Sequence, residues 1–159
     1  MHKNRNVFLV LFLFLAACTL QPASNLEGDD WVVFSAETAK KYQTLSWLFS
    51  GEPEYWSPTI ADVRTLEKGL PAYLQDNQSA FYMTQTLVWE RLNEYNRQYV
   101  GVVLDGKKVI YGNYLCKDAE ITGWKEQLIY VADGGACFFQ FKFEPSTGRF
   151  FDLMVNGNA

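Results

Sequence analysis

The dipeptide Asp105-Gly106, with a strand-like segment on each side, is the feature that most constrains the fold. The flanking residues 99–104 and 108–115 are rich in Val, Ile and Tyr, which favour β-strands. Asp-Gly is preferred in two-residue type I′ turns, whose twist matches that of a β-hairpin. Such a turn sets the register of the two strands. It predicts three cross-strand pairs: Leu104 with Lys107, Val102 with Val109, and Val100 with Tyr111. The pattern therefore predicts an antiparallel hairpin of defined register.

Two further strands are predicted downstream of this hairpin. Residues 137–144 alternate between apolar and polar side chains, which is typical of a strand with one buried face. The turn-forming segment 145–148 leads into a last predicted strand over about 149–155. Between the two pairs of strands, Asp133-Gly134-Gly135 follows the apolar run 128–132 and is interpreted as another hairpin turn.

The N-terminal half of the chain predicts two helices. Ser35 is a candidate N-cap for a helix over residues 36–49. Ser57-Pro58 combines an N-cap with a proline at the first helical position, and an apolar stripe follows. The members of this stripe are Ile60, Val63, Leu66 and Leu70. Gly69 and Pro71 are expected to end or kink the second helix, with residues 72–74 as its last turn.

Helices followed by strands predict an α+β fold. We expect N-terminal helices followed by a four-stranded antiparallel sheet, with a helix packed on its apolar face. In outline, this order resembles the cystatin-like arrangement. Gly101 and Gly112 lie on one face of the first hairpin, where a helix or another backbone can approach closely. The short apolar run 31–34 is interpreted as either an edge strand or an anchoring segment.

The N-terminus has the organisation of a secretory signal. Lys3 and Arg5 give it a basic start, and the apolar run 7–15 and two alanines follow. The run is roughly half of the 20 residues that a membrane-spanning helix needs. The segment Leu15-Ala16-Ala17-Cys18 resembles a bacterial lipobox, whose cysteine is lipidated and becomes the first residue of the mature protein.

The lipobox resemblance implies a division of the chain and a location. Residues 1–17 are expected to be a signal peptide, 18–30 a flexible lipidated tether, and 31–159 a single globular α+β domain. The acyl chains on the cysteine would supply the membrane affinity. In enterobacterial lipoproteins an Asp after the cysteine favours inner-membrane retention. Thr19 therefore implies the outer membrane, facing the periplasm, if the source has one.

Lipidation of Cys18 would leave two cysteines for other roles. Cys116 and Cys137 form an even pair in an oxidising compartment, where disulfides persist. We predict a disulfide between them, and the alternative is a pair of buried free thiols. The only histidine, His2, would be removed with the signal. This excludes His-dependent catalysis and His-ligated zinc from the mature chain.

The mature chain is acidic. Removal of residues 1–17 takes away two of the 14 basic residues and leaves 12 against 18 acidic ones, a net charge of −6. Proteins that bind nucleic acids present a basic surface instead, so nucleic acid is not an expected partner. No cofactor or metal is predicted, because the sequence has no Gly-rich phosphate loop and no ligand set with characteristic spacing.

Acidic and aromatic side chains remain as candidate functional groups. Two pairs of carboxylates lie near aromatic residues: Glu52 with Glu54, and Asp118 with Glu120. Paired carboxylates can hydrolyse a glycan, although solvated charge is the simpler interpretation of each. Trp56 and Trp124 are the tryptophans most expected to be exposed. Either could stack on a sugar or anchor a protein partner, and packing in the core is the alternative.

Together these observations predict a lipid-anchored, non-enzymatic envelope protein that binds a protein partner or an envelope polymer. Two alternatives stay open at this point. One is a carboxylate-dependent hydrolase acting on cell-wall glycan, and the other is an accessory subunit of a larger envelope complex.

Overall fold

A mixed β-sheet of seven strands is the central element of the structure. The computed structural model describes residues 24–42, 48–49, 51, 53–82 and 87–157. The strands are β1 (Leu26–Glu27), β2 (Trp31–Phe34), β3 (Glu54–Trp56), β4 (Tyr95–Leu104), β5 (Lys107–Cys116), β6 (Phe138–Glu144) and β7 (Arg149–Val155). The α-helices of the described residues are α1 (Ala36–Ala39) and α2 (Ile60–Asp76).

The expected α+β fold, with N-terminal helices and a four-stranded antiparallel sheet, is wrong. The sheet order is β1-β2-β4-β5-β6-β7, with β3 also paired to β4, and α2 is the one long helix in the described part of the chain. Four strands alone would leave one edge of β4 unpaired. Short strands from the N-terminal half fill that edge, so the chain does not have the cystatin-like outline.

Two short strands share this edge of β4. β2 pairs in parallel with it, from Trp31 opposite Arg97 to Phe34 opposite Val100. β3 pairs antiparallel with the next residues and places Trp56 opposite Gly101. A side chain at Gly101 would collide with the carbonyl oxygen of Trp56, which confirms the predicted close approach of another backbone.

The hairpin of β4 and β5 confirms the predicted register. Leu104 pairs with Lys107, and the partners predicted further along the two strands are also opposed. Asp105 and Gly106 have φ angles of 49° and 74°, the positive values that a type I′ turn requires. β6 and β7 lie within a residue of their predicted bounds and extend the sheet in antiparallel pairing.

Helix α2 begins later and ends later than the sequence predicted. Its N-cap is Thr59, which forms a capping box with Asp62, so Pro58 precedes the cap. The helix continues through Gly69 and Pro71 to Asp76. Its buried stripe consists of Val63, Leu66, Leu70 and Leu74. This last turn of buried contacts outweighs the proline, since tertiary packing supplies most of the stability of a helix in a protein.

Helix α1 is shorter than predicted. Ser35 is its N-cap, as expected, and its hydroxyl accepts a hydrogen bond of 3.1 Å from the backbone N–H of Thr38. The helix ends at Ala39. Much of the remaining predicted range, residues 43–47, lies outside the described residues.

The sheet has an apolar cluster on each side. The face that α2 covers, the helix face, contains Val33, Tyr95, Tyr99, Ile110, Tyr114, Phe139, Phe141 and Phe143 beneath the helix. The opposite face contains Val32, Phe34, Val100, Val102, Val109 and Tyr111, with Phe49 packed on them. We name it the loop face, because the connection between β5 and β6 lies across it. Both faces of the central strands are therefore buried.

The signal peptide and Cys18 lie outside the described residues, as does the start of the predicted tether. In its described part, residues 24–30, β1 pairs with β2 and Asp30 forms ion pairs with Arg97 and Lys117. Within the described ranges, no helix has the length and hydropathy needed to cross a membrane.

Candidate functional site

The connection between β5 and β6, residues 117–136, is the candidate functional site, and we call it the long loop. A disulfide between Cys116 and Cys137 closes it, which confirms that predicted pair. The disulfide follows directly on the pairing of Leu115 with Phe138. Between short 3₁₀ turns at its two ends, Lys117–Ala119 and Gly135–Cys137, the long loop has no regular structure, and such long connections are uncommon in compact domains and often functional.

Two buried side-chain amides hold the long loop on the loop face. Gln98 and Asn113 are opposed on β4 and β5, and their exposed fractions are 0% and 2%. The Gln98 amide nitrogen donates hydrogen bonds to the carbonyl oxygens of Trp124 and Gln127. The Gln98 amide oxygen accepts a hydrogen bond of 3.0 Å from the backbone N–H of Ile129.

Asn113 completes this arrangement. Its amide nitrogen donates to the Gln98 amide oxygen and to the carbonyl oxygen of Ile129, both at 2.8 Å. Leaving a buried amide without partners costs about 1–3 kcal/mol. The described residues contain no buried side-chain nitrogen or oxygen without a partner. The long loop thus satisfies the polar groups of the sheet, and the sheet satisfies those of the loop.

The end of the long loop is attached to the last strand. The Asn156 amide nitrogen donates to the carbonyl oxygens of Val131 and Asp133, and the backbone N–H of Gly135 donates to the carbonyl oxygen of Gly157 at 2.9 Å. Asp133-Gly134-Gly135 is therefore not a hairpin turn, contrary to prediction, and the apolar run 128–132 before it has no regular structure. Side-chain amides bind the loop backbone where a strand ladder was expected.

The two predicted binding tryptophans lie on different sides of the sheet. Trp124, in the long loop, is half-buried against the loop-face cluster, with the ammonium of Lys125 5.2 Å from its ring centroid. Trp56 packs against the helix-face cluster. Its indole N–H donates to the carbonyl oxygens of Val102 and Val109 at 3.1 and 3.2 Å. Trp56 therefore stabilises the sheet, and Trp124 belongs to the candidate site.

Exposed apolar side chains adjoin the long loop. Tyr130 in the loop is 56% exposed and Met154 on β7 is 51% exposed. Met154 borders a cavity of about 350 Å³, lined also by Tyr111, Gln140, Leu153 and Leu48 and by the charged side chains of Lys142 and Asp152. Burial raises the pKa of Tyr111, and the nearby Tyr130 adds to the increase. We call Tyr130, Met154 and this cavity the loop patch.

A second cavity, of about 590 Å³, lies further along the loop face and is lined by charged as well as apolar side chains. Glu144 forms ion pairs there with Lys107 at 3.6 Å and Arg149 at 3.4 Å. Burial acts to raise the pKa of Glu144. The hydrogen bond from Ser146 and the two cations outweigh burial and hold the pKa below its usual value. An ionised, paired carboxylate of this kind is not a general acid at neutral pH.

The two pairs of carboxylates considered for glycan hydrolysis lie far from each other. Glu54 lies opposite Val103, whereas Asp118 and Glu120 follow β5, whose last residue lies opposite Tyr95. From Val103 to Tyr95 the strand extends about 27 Å, at about 3.4 Å per residue. Catalytic pairs in glycosidases are about 5–10 Å apart, so Glu54 cannot act together with either of them. Glu52 lies outside the described residues.

The helix face contains a network of polar side chains beneath α2. The Tyr99 hydroxyl donates to Glu67 at 2.7 Å and lies 2.9 Å from the Tyr114 hydroxyl. Glu67 also binds Arg97 at 2.9 Å, and Arg97 pairs with Asp30. Burial, followed by these neighbours, raises the pKa of Tyr99. The network joins β4, β5 and α2 to the segment before β2, which is a structural role.

No group of three or more His, Cys, Asp or Glu side chains within the described ranges could hold a metal ion. Comparisons with protein-family models, with curated proteins and with solved structures found no match. The interpretation of the site therefore depends on its geometry.

Gln98 and Asn113 are the site residues that the sequence reasoning missed. A usable signal was present, because both continue the loop-face alternation of the predicted hairpin, two residues before Val100 and two residues after Tyr111. A polar amide at a position that the pattern assigns to a buried face indicates a specific partner.

Proposed function

We propose that this protein is a lipid-anchored envelope protein that binds a protein partner or an envelope polymer through the loop patch and the long loop. The lipobox resemblance at Cys18 supports the anchor. One structural observation carries the binding proposal: a disulfide-closed loop of 20 residues, held by buried amides, presents the exposed side chain of Tyr130, and Met154 on β7 is exposed as well.

The form of the site favours binding over catalysis. Binding residues are frequently found on loops that a rigid scaffold positions. Tyrosine and methionine are enriched at interfaces, where a few side chains supply most of the binding energy. Because the loop is ordered by contacts with the sheet, a partner would not have to order it, and this lowers the entropic cost of association.

The anchor is tested by comparing wild-type protein with Cys18→Ala in cells that are fed a clickable fatty acid. We expect the wild type to carry the label and to fractionate with membranes, and the variant to lose the label. Wild-type protein that is soluble and unlabelled would refute the anchor without affecting the binding proposal.

The binding surface is tested by crosslinking in cells with a photoreactive amino acid at Tyr130 or at Leu26. Leu26 is a matched control, because it is 41% exposed and lies on β1, at the opposite edge of the sheet. We expect a discrete adduct from position 130 that Met154→Ala weakens at least fivefold. Equal adducts from both positions would show that the loop patch is not the binding surface.

A protein adduct and a polymer adduct separate the two classes of partner. A protein adduct has one defined mass, and protease treatment destroys it. A polymer adduct has a ladder of masses and persists. A protein adduct of several subunits would indicate an accessory subunit of a larger complex.

A further inference from the structure

The pair formed by Gln98 and Asn113 has properties that the rest of the loop face does not explain. The surrounding positions on β4 and β5 are Val100, Val102 and Tyr111, which pack in an apolar cluster. Apolar side chains at the two amide positions would continue this cluster. Amides there instead hydrogen-bond to each other and to one particular set of backbone groups in the long loop.

These hydrogen bonds define the position of the loop and not only its attachment. An apolar contact tolerates sliding, because it is not directional. Gln98 uses two donors and two acceptor sites, and only one placement of the Trp124, Gln127 and Ile129 backbone groups matches them. Buried polar networks of this kind are a means of specifying one conformation.

The disulfide cannot have this role. It joins Cys116 to Cys137 at the base of the loop, where the strands are already paired. It restrains the ends of residues 117–136 and leaves the middle free to adopt other conformations. The segment that precedes Tyr130 is fixed instead by the amide pair, one residue away at Ile129.

We infer that Gln98 and Asn113 are positioning residues, which preform the long loop for binding and act independently of the disulfide. The inference deepens the proposed function and depends on it only in the statement that the loop binds. The partner then meets a loop that is already in its binding conformation, and association requires no large rearrangement.

Hydrogen exchange of the full-length protein in detergent tests the positioning without any partner. We compare the wild type with Gln98→Leu/Asn113→Leu and follow peptides covering 124–131. Exchange there should become at least tenfold faster in the double variant, because Ile129 loses its acceptor. Peptides of β4 and β5 should change less than twofold. The milder Gln98→Met variant provides the same comparison if the double variant does not fold.

Gln140→Leu is the matched control. Gln140 lies in the same row on β6, opposite Asn113, but its amide donates to the Asn156 side chain at 3.3 Å. This variant should leave the exchange of residues 124–129 unchanged. Unchanged exchange of that segment in the double variant would overturn the inference. Equal acceleration in the loop and in β4 and β5 would also overturn it, by showing that the amides stabilise the sheet as a whole.

Crosslinking from position 130 separates this inference from the proposed function. Faster exchange of the loop in the double variant, together with an adduct at least fivefold weaker, supports both the positioning role and the proposed function. Faster exchange of the loop with an unchanged adduct confirms the positioning role and refutes the long loop as the binding element. If the wild type forms no adduct, the proposed function fails, and the exchange result alone decides the inference.

Discussion

Removal of the Cys116–Cys137 disulfide should destabilise the domain by an amount that loop closure determines. The bridge spans a sequence separation of 21 residues. In the chain-entropy model, a crosslink over that length removes unfolded-state entropy worth about 3 kcal/mol at 25 °C. The Cys116→Ser/Cys137→Ser variant keeps the pairing of Leu115 with Phe138, so its folded state should change little.

The loss is measured by urea unfolding of the full-length protein in detergent, followed by tryptophan fluorescence. We expect the free energy of unfolding to fall by about 2–4 kcal/mol, which corresponds to a decrease in melting temperature of roughly 10 °C for a domain of this size. Wild-type protein reduced before unfolding should behave like the variant, and unreduced wild type should show no thiol at Cys116 or Cys137 that can be alkylated.

A loss below about 1 kcal/mol would refute this reasoning, because the unfolded chain would then gain little freedom when the crosslink is removed. Hydrogen exchange distinguishes the covalent contribution from that of the amide pair. In the double serine variant, the Ile129 N–H should stay protected from exchange, because it still donates a hydrogen bond to the Gln98 amide oxygen.

Three further predictions concern buried groups of the sheet. Gly112→Ala would place a Cβ 2.5 Å from the ring of Phe141 and should cost about 1–3 kcal/mol in urea unfolding, whereas Gly157→Ala, which meets nothing within 4 Å, should cost less than about 0.5 kcal/mol. The pKa of Glu144 is lowered, so the contribution of its carboxylate to stability is present above the unfolded pKa of about 4.3 and is lost as the pH falls through the folded pKa. The difference in urea midpoint between neutral and acid pH should therefore be smaller in Glu144→Gln than in the wild type. Burial raises the pKa of Tyr95 to about 12. The contribution of neutral Tyr95 to stability is therefore complete below the unfolded pKa of about 10 and is lost as the pH rises through 12. Alkaline unfolding should coincide with the appearance of phenolate absorbance from buried tyrosines, and phenolate absorbance that appears before unfolding would contradict this.

The hairpin of β4 and β5 was predictable because residues close to its turn determine it. Asp105-Gly106 adopts the positive φ angles of its turn type, and a two-residue turn leaves one register for the strands beside it. The same logic located β6 and β7, because alternation of apolar and polar side chains indicates a strand, although both faces of β6 are buried. These elements depend on neighbours within a few residues.

The N-terminal half depended on distant partners and was predicted poorly. Nothing near Trp31–Phe34 indicates that it pairs in parallel with β4, and Glu54–Trp56 is a strand because β4 offers it an open edge. Pro71 was expected to end or kink α2 and leave residues 72–74 as a last turn, but the helix continues two residues further, to Asp76, and buries Leu74. In each case a tertiary contact outweighs the local preference.

The candidate site was predictable only in part. The cysteine pair followed from composition, whereas Trp124, predicted to be exposed, is half-buried against the loop-face cluster. The anchoring of that loop by Gln98 could not be deduced from spacing, because its acceptors lie 26 and 29 residues further along the chain. Sequence patterns identify buried faces more readily than they identify what covers them.

The parallel pairing of β2 with β4 has a consequence for how the chain assembles. The two strands are separated by roughly 60 residues, and such non-local pairing is slow to form because a long loop must close first. The hairpin of β4 and β5 needs only a two-residue turn and can form early. The apolar segment Trp31–Phe34 is synthesised before β4 and, apart from its pairing with β1, lacks a partner strand until β4 follows it. We therefore expect its docking to be a late step of folding, and the interval before it to be when the chain is most prone to aggregate.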